Sequence, residues 1–166
     1  MLYFETGTQL IRDEYMLAAL DLAKIAYLDN EVPVGAIVVK DNQVIGKGYN
    51  QVIRNNSVAA HAEIIAINNA SNFLKNYRLN DCDLYVTLEP CHMCAKAIVD
   101  ARIKRLFFGA FELKTGAINS IDSFLDADHL NHKVIYKGGV MQDQSSTMLR
   151  NFFQSRRNSF KKNKYF

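Results

Sequence analysis

Residues 86–94, with the sequence VTLEPCHMC, constrain the fold more than any other part of the chain. An apolar run over residues 84–88, rich in β-branched and aromatic types, stops at a Glu-Pro pair, and an apolar pattern with helical spacing follows the two cysteines. The pattern predicts a strand, a tight turn and a helix whose first turn carries Cys91 and Cys94. Residues three apart share one helix face, and a helix N-terminus stabilises thiolates. Two thiolates suit zinc but do not complete a site.

Length and composition indicate an ordinary globular protein. The 166 residues predict one domain, and they contain neither an apolar run of membrane-spanning length nor a basic-then-apolar secretory start. Three cysteines, two of them three residues apart, do not resemble a disulfide framework and favour a reducing compartment. We therefore expect a cytoplasmic protein without membrane contact, with a single domain over residues 1–166. Within it, residues 1–10 are expected to form a loose lead-in and residues 161–166 a flexible basic tail.

The positive charge is concentrated at the C-terminal end. Residues 150–166 hold six basic and no acidic residues, whereas the preceding 149 residues hold 14 basic and 17 acidic ones. Five aromatic residues are interleaved with the six basic ones. This composition indicates contact with a polyanion. The alternative, a solvated helix end followed by a disordered tail, stays open for the end beyond residue 160.

Local periodicity predicts the order of helices and strands. Helices are expected over residues 13–28, 60–70, 91–102 and 143–159, with a short one within 121–130. Strands are expected over residues 34–40, 43–49, 84–88, 105–110 and 132–136. A hairpin followed by strand–helix alternation predicts a three-layer α/β/α sandwich with a mixed five-stranded central sheet. Gly46 and Gly48 in the second strand predict a bulge or a close backbone approach.

Four histidines are candidates for a third metal ligand. His92 lies between the two cysteines and is expected to point off their face, and His129 and His132 lie in a polar segment typical of surface residues. His61 differs because it opens a buried helix and precedes Glu63 by two positions. A histidine with a nearby carboxylate, in a chain that also carries Pro-Cys-x-x-Cys, favours a metal site.

The division of roles between His61 and Glu63 follows from helix geometry. Residues two apart lie roughly 200° apart around an ideal helix, so the two side chains converge only if His61 sits at the helix entry. We expect His61, Cys91 and Cys94 to bind zinc, which leaves one tetrahedral position open, as in catalytic sites. Two thiolates and a neutral imidazole cancel the charge of the ion and weaken its effect on water. A base outside the ligand set, Glu63, is then expected to move protons.

These residues match a known pattern. His61-Ala62-Glu63 together with Pro90-Cys91-x-x-Cys94 resembles the motif of the zinc nucleobase deaminases. Over residues 12–160 the chain resembles the bacterial tRNA-specific adenosine deaminases. The further matching segments are EVPVGA at 31–36, GYN at 48–50, NYRL at 76–79, FGA at 108–110, KTGA at 114–117 and FFxxRR at 152–157. The resemblance implies a cytidine deaminase-like fold, one Zn²⁺ per subunit, and hydrolytic deamination of a flipped-out adenosine to inosine at the anticodon wobble position.

The resemblance also assigns residues to the substrate pocket. Asn50 is expected to hydrogen-bond the base, with the capping of a strand end as the alternative role. The backbone at Ala62 and the strand-end residues Leu88 and Glu89 are expected to line the pocket, although Glu89 could instead be a turn residue. Glu112 stands where family members commonly carry Asp, which is one methylene shorter, and is included as a substrate contact.

Contacts outside the pocket are expected from the last helix. The resemblance implies that Phe153, Arg156 and Arg157 touch flanking nucleotides of the tRNA anticodon stem-loop by stacking and phosphate contact. It also implies a homodimer.

Two other interpretations stay open at this level. Guanine and cytidine or deoxycytidylate deaminases share the zinc-binding residues, and only the basic, aromatic C-terminal end favours RNA over a free base or nucleotide. A zinc-stabilised binding module without catalysis would leave Glu63 without a role.

Overall fold

The structure, a computed structural model, describes residues 11–162, and side chains up to residue 159. Within that range the α-helices are α1 (Asp13–Leu28), α2 (Ala62–Leu74), α3 (His92–Asp100) and α4 (Gln142–Lys162). The strands are β1 (Gly35–Lys40), β2 (Gln43–Tyr49), β3 (Asp83–Leu88), β4 (Arg105–Ala110) and β5 (Ile135–Lys137). The predicted lead-in and the last four residues of the predicted tail lie outside the described residues, whereas residues 161 and 162 belong to α4.

The five strands form one mixed sheet in the order β2-β1-β3-β4-β5. Strand β1 pairs antiparallel with both β2 and β3, while β3, β4 and β5 run parallel. A tight hairpin suffices for the antiparallel pair, whereas the parallel strands need crossovers, of which α3 is the first. The predicted mixed five-stranded sheet is therefore confirmed.

Helices cover both faces of the sheet, as the three-layer prediction requires. Alternate strand residues such as Leu84, Val86 and Phe108 are buried in one cluster with side chains of α2 and α3. The intervening residues, such as Tyr85 and Phe107, are buried in a second cluster with side chains of α1 and α4. This alternation follows from the two-residue period of a strand, and burial of both faces is typical of sheets with parallel crossovers.

The largest differences from the predicted boundaries lie in four elements. Helix α2 continues to Leu74 and ends where Lys75 takes a left-handed conformation with φ 51°. The last helix spans Gln142–Lys162, and the predicted short helix is a single 3-10 turn at Phe124–Asp126. Strand β5 has only three residues, because its pairing with β4 covers only three positions. No helix within residues 11–162 is long and apolar enough to cross a membrane.

The glycines of β2 allow α2 to lie directly on the sheet. A Cβ on Gly48 would stand 2.3 Å from the Ala62 carbonyl oxygen, and one on Gly46 would stand 2.3 Å from the Ala66 carbonyl oxygen. The pairing of β1 with β2 also shifts between Val38 and Val39, which is a bulge. Both predicted consequences of these glycines are therefore present. The close approach holds the start of α2, and His61 before it, against the sheet.

Candidate active site

Three potential metal ligands converge where α2 and α3 begin. His61 is the N-cap of α2, with extended backbone angles of φ −77° and ψ 152°, as expected for a residue at the helix entry. Cys91 is the N-cap of α3, and Cys94 lies in its first turn. His61 Nδ1 is 3.7 Å from Cys91 Sγ and 3.5 Å from Cys94 Sγ. Within the described part of the chain, these are the only three His, Cys, Asp or Glu ligand atoms that group closely enough to hold a metal.

The chemistry of these donors fits a soft dication. The pKa of Cys91 is lowered to about 3, mainly by its hydrogen bond with the Cys94 thiol and also by His61. The pKa of Cys94 is raised by its hydrogen bond with Cys91 and by burial. The donors therefore compete for protons that a bound cation would displace. One imidazole nitrogen and two sulfur atoms are a donor set typical of zinc.

The other histidines are engaged elsewhere. His92 Nε2 lies 2.9 Å from Asp122 Oδ2, and His132 Nε2 lies 2.7 Å from the Ile103 carbonyl oxygen. His129 is exposed. Among the histidines of residues 11–162, His61 is the one that groups with the two cysteines, in agreement with the sequence-based choice.

Glu63 lies beside the donor group in the first turn of α2. Its side chain is 4% exposed, and burial raises its pKa from 4.5 to about 7. The neighbouring His61 opposes this rise, and a hydrogen bond joins the carboxyl to Cys94. A carboxyl group whose pKa lies close to neutrality can both accept and return a proton during a reaction.

Asn50 connects the end of β2 to the start of α2. Its side-chain oxygen accepts a hydrogen bond of 2.9 Å from the Ala62 backbone N–H, which would otherwise be an unpaired donor at the helix start. Because the oxygen is used in this way, the amide NH₂ of Asn50 is left to donate to a ligand. Ala62 itself is fully buried and its N–H is engaged. The Asn50 side chain therefore caps the start of α2 rather than the end of a strand.

A cleft of about 410 Å³ opens beside these residues. Its volume lies within the usual range for small-molecule sites. The predicted residues that line it are Asn50, His61, Glu63, Leu88, Glu89, Cys91, Glu112 and Phe153. A more polar cleft of about 490 Å³ lies at the other end of the sheet, next to the β1–β2 turn, and contains none of the metal-ligand candidates.

Glu89 anchors the loop that forms one side of the cleft. Its carboxylate accepts hydrogen bonds from the backbone N–H groups of residues 112, 118, 119 and 120, at 2.7–3.1 Å, and from the Ser120 hydroxyl. Burial opposes ionisation of Glu89, but the donors, Ser120 first, outweigh it and lower the pKa below the ordinary value. The turn in which Glu89 lies thus organises a wall of the cleft, a role that no local sequence pattern indicates.

The three predicted residues of α4 are placed differently from one another. Phe153 is 45% exposed and lines the cleft, and Arg157 is exposed. Arg156 lies over the Phe152 ring at 5.4 Å and donates a hydrogen bond of 3.1 Å to the Asn30 carbonyl oxygen. Arg156 therefore ties α4 to the turn after α1, in addition to any contact with a phosphate.

Comparison with known proteins identifies the class of this fold and site. Residues 11–157 match the family model of the MafB19-like deaminases, so the chain belongs to this deaminase family. The tRNA-specific adenosine deaminase of Haemophilus influenzae is 49% identical over 147 residues, which are 87% of this chain and 85% of the relative.

Solved structures agree with this relationship. A structure from studies of A-to-I editing by tRNA:A34 deaminases at the wobble position has a TM-score of 0.80 at 42% identity, and the match covers 82% of this chain and 99% of that chain. Guanine deaminase from Bacillus subtilis has a TM-score of 0.60 at 32% identity, over 90% of this chain and 95% of that chain. The resemblance to tRNA-specific adenosine deaminases drawn from the sequence is therefore confirmed.

Proposed function

We propose that this protein is a zinc-dependent hydrolytic deaminase that converts adenosine to inosine at the wobble position of tRNA. One juxtaposition carries the proposal: Glu63, with its near-neutral pKa, lies beside the His61, Cys91 and Cys94 group in a cleft of suitable size for a nucleobase. The identity of 49% with a tRNA-specific adenosine deaminase supports adenosine in tRNA as the substrate.

Each residue of the cleft has a defined task in this reaction. His61, Cys91 and Cys94 would hold zinc, which would supply a Lewis acid that makes water more acidic. Glu63 takes one proton from the attacking water and passes it to the ring nitrogen. It then carries the second proton, from the new hydroxyl at C6, to the departing amine. A water oxygen thereby replaces the amine at C6, and inosine and ammonia are the products. The free NH₂ of Asn50 holds the base, while the Ala62 N–H fixes the orientation of that amide.

The tRNA anticodon stem-loop is the proposed partner outside the cleft. Phe153 is exposed at the cleft wall and is suited to stack on a flanking base, and Arg157 is exposed on the same helix. Arg156 and the other basic residues of the C-terminal end supply positive charge for the phosphates. Glu112 lines the cleft, where its carboxylate accepts a hydrogen bond from the Lys114 N–H and restrains the loop near the substrate.

A homodimer is the proposed assembly. Apolar side chains are exposed on α3 and on the loop that Glu89 anchors, including Met93 at 38%, Leu113 at 79% and Ile121 at 55%. Exposed apolar residues next to an active site are typical of an interaction surface. Light scattering that gives the mass of one chain at micromolar concentration would contradict the dimer.

Incubation with total tRNA, followed by mapping of inosine, tests the proposed function. Inosine confined to the wobble position supports it, and the absence of inosine at every position overturns it. An anticodon stem-loop with guanosine at the wobble position serves as the control substrate. Guanine and cytidine are assayed in parallel by ammonia release, because the match to guanine deaminase makes a free-base activity the main alternative.

A further inference from the structure

A third buried acidic side chain, Glu31, lies in the wall of the cleft and has no place in the mechanism above. It is only 2% exposed, yet it lines the same cleft as Asn50 and Glu63. One of its oxygens, Oε1, accepts a hydrogen bond of 2.8 Å from the Arg54 backbone N–H. Burying a carboxylate costs free energy unless hydrogen-bond donors satisfy its oxygens, so the second oxygen, Oε2, also needs a donor.

The second oxygen of Glu31 opens to the cleft. Within the described part of the chain, it receives no hydrogen bond, and the only fully buried side-chain oxygen or nitrogen without a partner there is Ser145 Oγ. Glu31 Oε2 is therefore not fully buried. The open space next to Glu31 is the cleft that this residue lines. The carboxylate presents an unpaired acceptor to whatever enters.

The turn that carries Glu31 is held from both sides. The Arg54 guanidinium donates to the Tyr49 hydroxyl at 3.1 Å and pairs with Asp29 at 3.5 Å. On the other side, Arg156 of α4 donates to the Asn30 carbonyl oxygen. Residue Asn30 itself has a left-handed φ of 60°. These contacts fix the position of the Glu31 carboxylate before any ligand binds, which is what a recognition group requires.

Glu31 and Asn50 line the same cleft but have different neighbours. Asn50 is bonded to Ala62, next to the metal-ligand candidates, whereas the turn of Glu31 is bonded to α4, whose Phe153 lies exposed at the cleft wall. The reacting base must lie against Glu63, so the α4 side of the cleft receives the adjoining part of the RNA. A carboxylate there repels phosphate and accepts only from N–H or O–H groups.

We infer that Glu31 is a specificity-determining residue whose free oxygen accepts a hydrogen bond from the nucleotide next to the deaminated adenosine. The donor is either a ribose 2′-hydroxyl or a base N–H, and both are neutral groups that a single-stranded RNA loop presents. This inference rests on the proposed function. A hydrogen bond to a charged group changes binding by roughly ten- to a hundredfold.

The test measures kcat/KM of the wild type and Glu31→Gln on a set of anticodon stem-loops. Single 2′-deoxy substitutions on either side of the target adenosine remove the hydroxyl donor, and base replacements at the same positions remove the N–H donor. Glutamine keeps an oxygen for the Arg54 N–H and has nearly the same volume, so the turn is retained. Glu14→Gln, on an exposed side chain of α1, is the matched control.

We expect one modified substrate to lower the wild-type kcat/KM by about tenfold, and Glu31→Gln to show a similar loss on the unmodified RNA. On that one modified substrate, Glu31→Gln is expected to lose nothing further. A merely structural role would instead lower activity on all substrates by one factor, and losses that multiply across every modified substrate would overturn the inference alone. No deamination of the unmodified stem-loop by the wild type would overturn the proposed function, and the inference with it.

Discussion

Two of the glutamates that line the cleft, Glu63 and Glu89, have opposite acid–base properties. Glu63 is 4% exposed and Glu89 is 2% exposed, so burial does not distinguish them. The pKa of Glu63 is raised to about 7, while the pKa of Glu89 lies below its ordinary value. The difference comes from the donors, because the Glu89 carboxylate accepts from four backbone N–H groups and one hydroxyl.

The comparison separates a chemical role from an architectural one. Few hydrogen-bond donors surround the buried Glu63 carboxyl group, so its ionised form is poorly stabilised and its pKa lies close to neutral pH. Raising its pKa from 4.5 to about 7 corresponds to roughly 3 kcal/mol in favour of the protonated form. Glu89, whose pKa is lowered, is charged at neutral pH and holds a loop. For a buried carboxyl group in this cleft, its hydrogen-bond donors, and not its degree of burial, therefore indicate whether its role is chemical or architectural.

The largest expected effect comes from Glu63→Gln. The substitution keeps the shape but removes the group that moves protons, so the rate of deamination should fall by about 10²- to 10⁴-fold. Metal analysis should show unchanged zinc content, because Glu63 lies outside the group of three ligand candidates. Cys94→Ala is the contrasting variant, since it should lose the metal as well as the activity. Activity within tenfold of wild type would contradict the role of Glu63.

The main expected effect of Glu89→Gln is a loss of stability of the fold. Glutamine offers one oxygen and directs an NH₂ group toward backbone N–H donors, so the free energy of unfolding should fall by about 3 kcal/mol. Urea denaturation with zinc present measures this change, and the exposed Glu14→Gln is the control. Activity should fall less than in Glu63→Gln. Equal losses of stability in the Glu63 and Glu89 variants would remove the distinction between the two glutamates.

The sequence was sufficient to predict elements and residues whose signal lies in neighbouring positions along the chain. Periodicity over 10 to 20 residues located α1, β1, β2 and α3, and the His-x-Glu and Cys-x-x-Cys spacings selected the three residues that group as metal-ligand candidates. His61 was placed at the helix entry because two residues apart on a helix cannot share a face. These inferences rest on neighbours along the chain, whose geometry the backbone imposes.

The sequence was insufficient to predict contacts between residues that are distant along the chain. The donors to Glu89 follow it by 23 to 31 positions, and Arg156 bonds a carbonyl oxygen 126 positions earlier. The role of the Asn50 oxygen depends on Ala62, 12 positions later, which no spacing rule links to it. Similarly, β5 is shorter than its apolar pattern because pairing with the edge of β4 decides its length. Tertiary contacts determine all four features.

The pH dependence of stability should have opposite signs for the two glutamates. The stabilisation by Glu89, whose folded pKa is lowered, is present above its ordinary pKa of 4.5 and is lost as the pH falls through the folded value. Glu63, whose folded pKa is raised, destabilises the zinc-free fold increasingly as the pH rises from 4.5 to about 7. In zinc-free protein, Glu89→Gln should therefore be less stable than wild type at pH 8, and Glu63→Gln more stable. The Glu63 difference should vanish toward pH 4, whereas the Glu89 difference should shrink only as the pH falls below 4.5, as urea denaturation at each pH would show. Differences that stay constant with pH would contradict both assignments.

The smallest expected effect is that of Ser120→Ala, which divides the donors of Glu89 into two kinds. The substitution removes the hydroxyl donor but leaves all four backbone N–H groups. Because Ser120 is partly exposed and water can replace its hydroxyl, the free energy of unfolding should fall by about 1 kcal/mol. Ser123→Ala, on an exposed serine of the same loop whose side chain caps no helix, is the matched control and should change little. A loss as large as that of Glu89→Gln would mean that the hydroxyl, rather than the backbone, holds the loop, and the pKa of Glu89 would then depend mainly on one side chain.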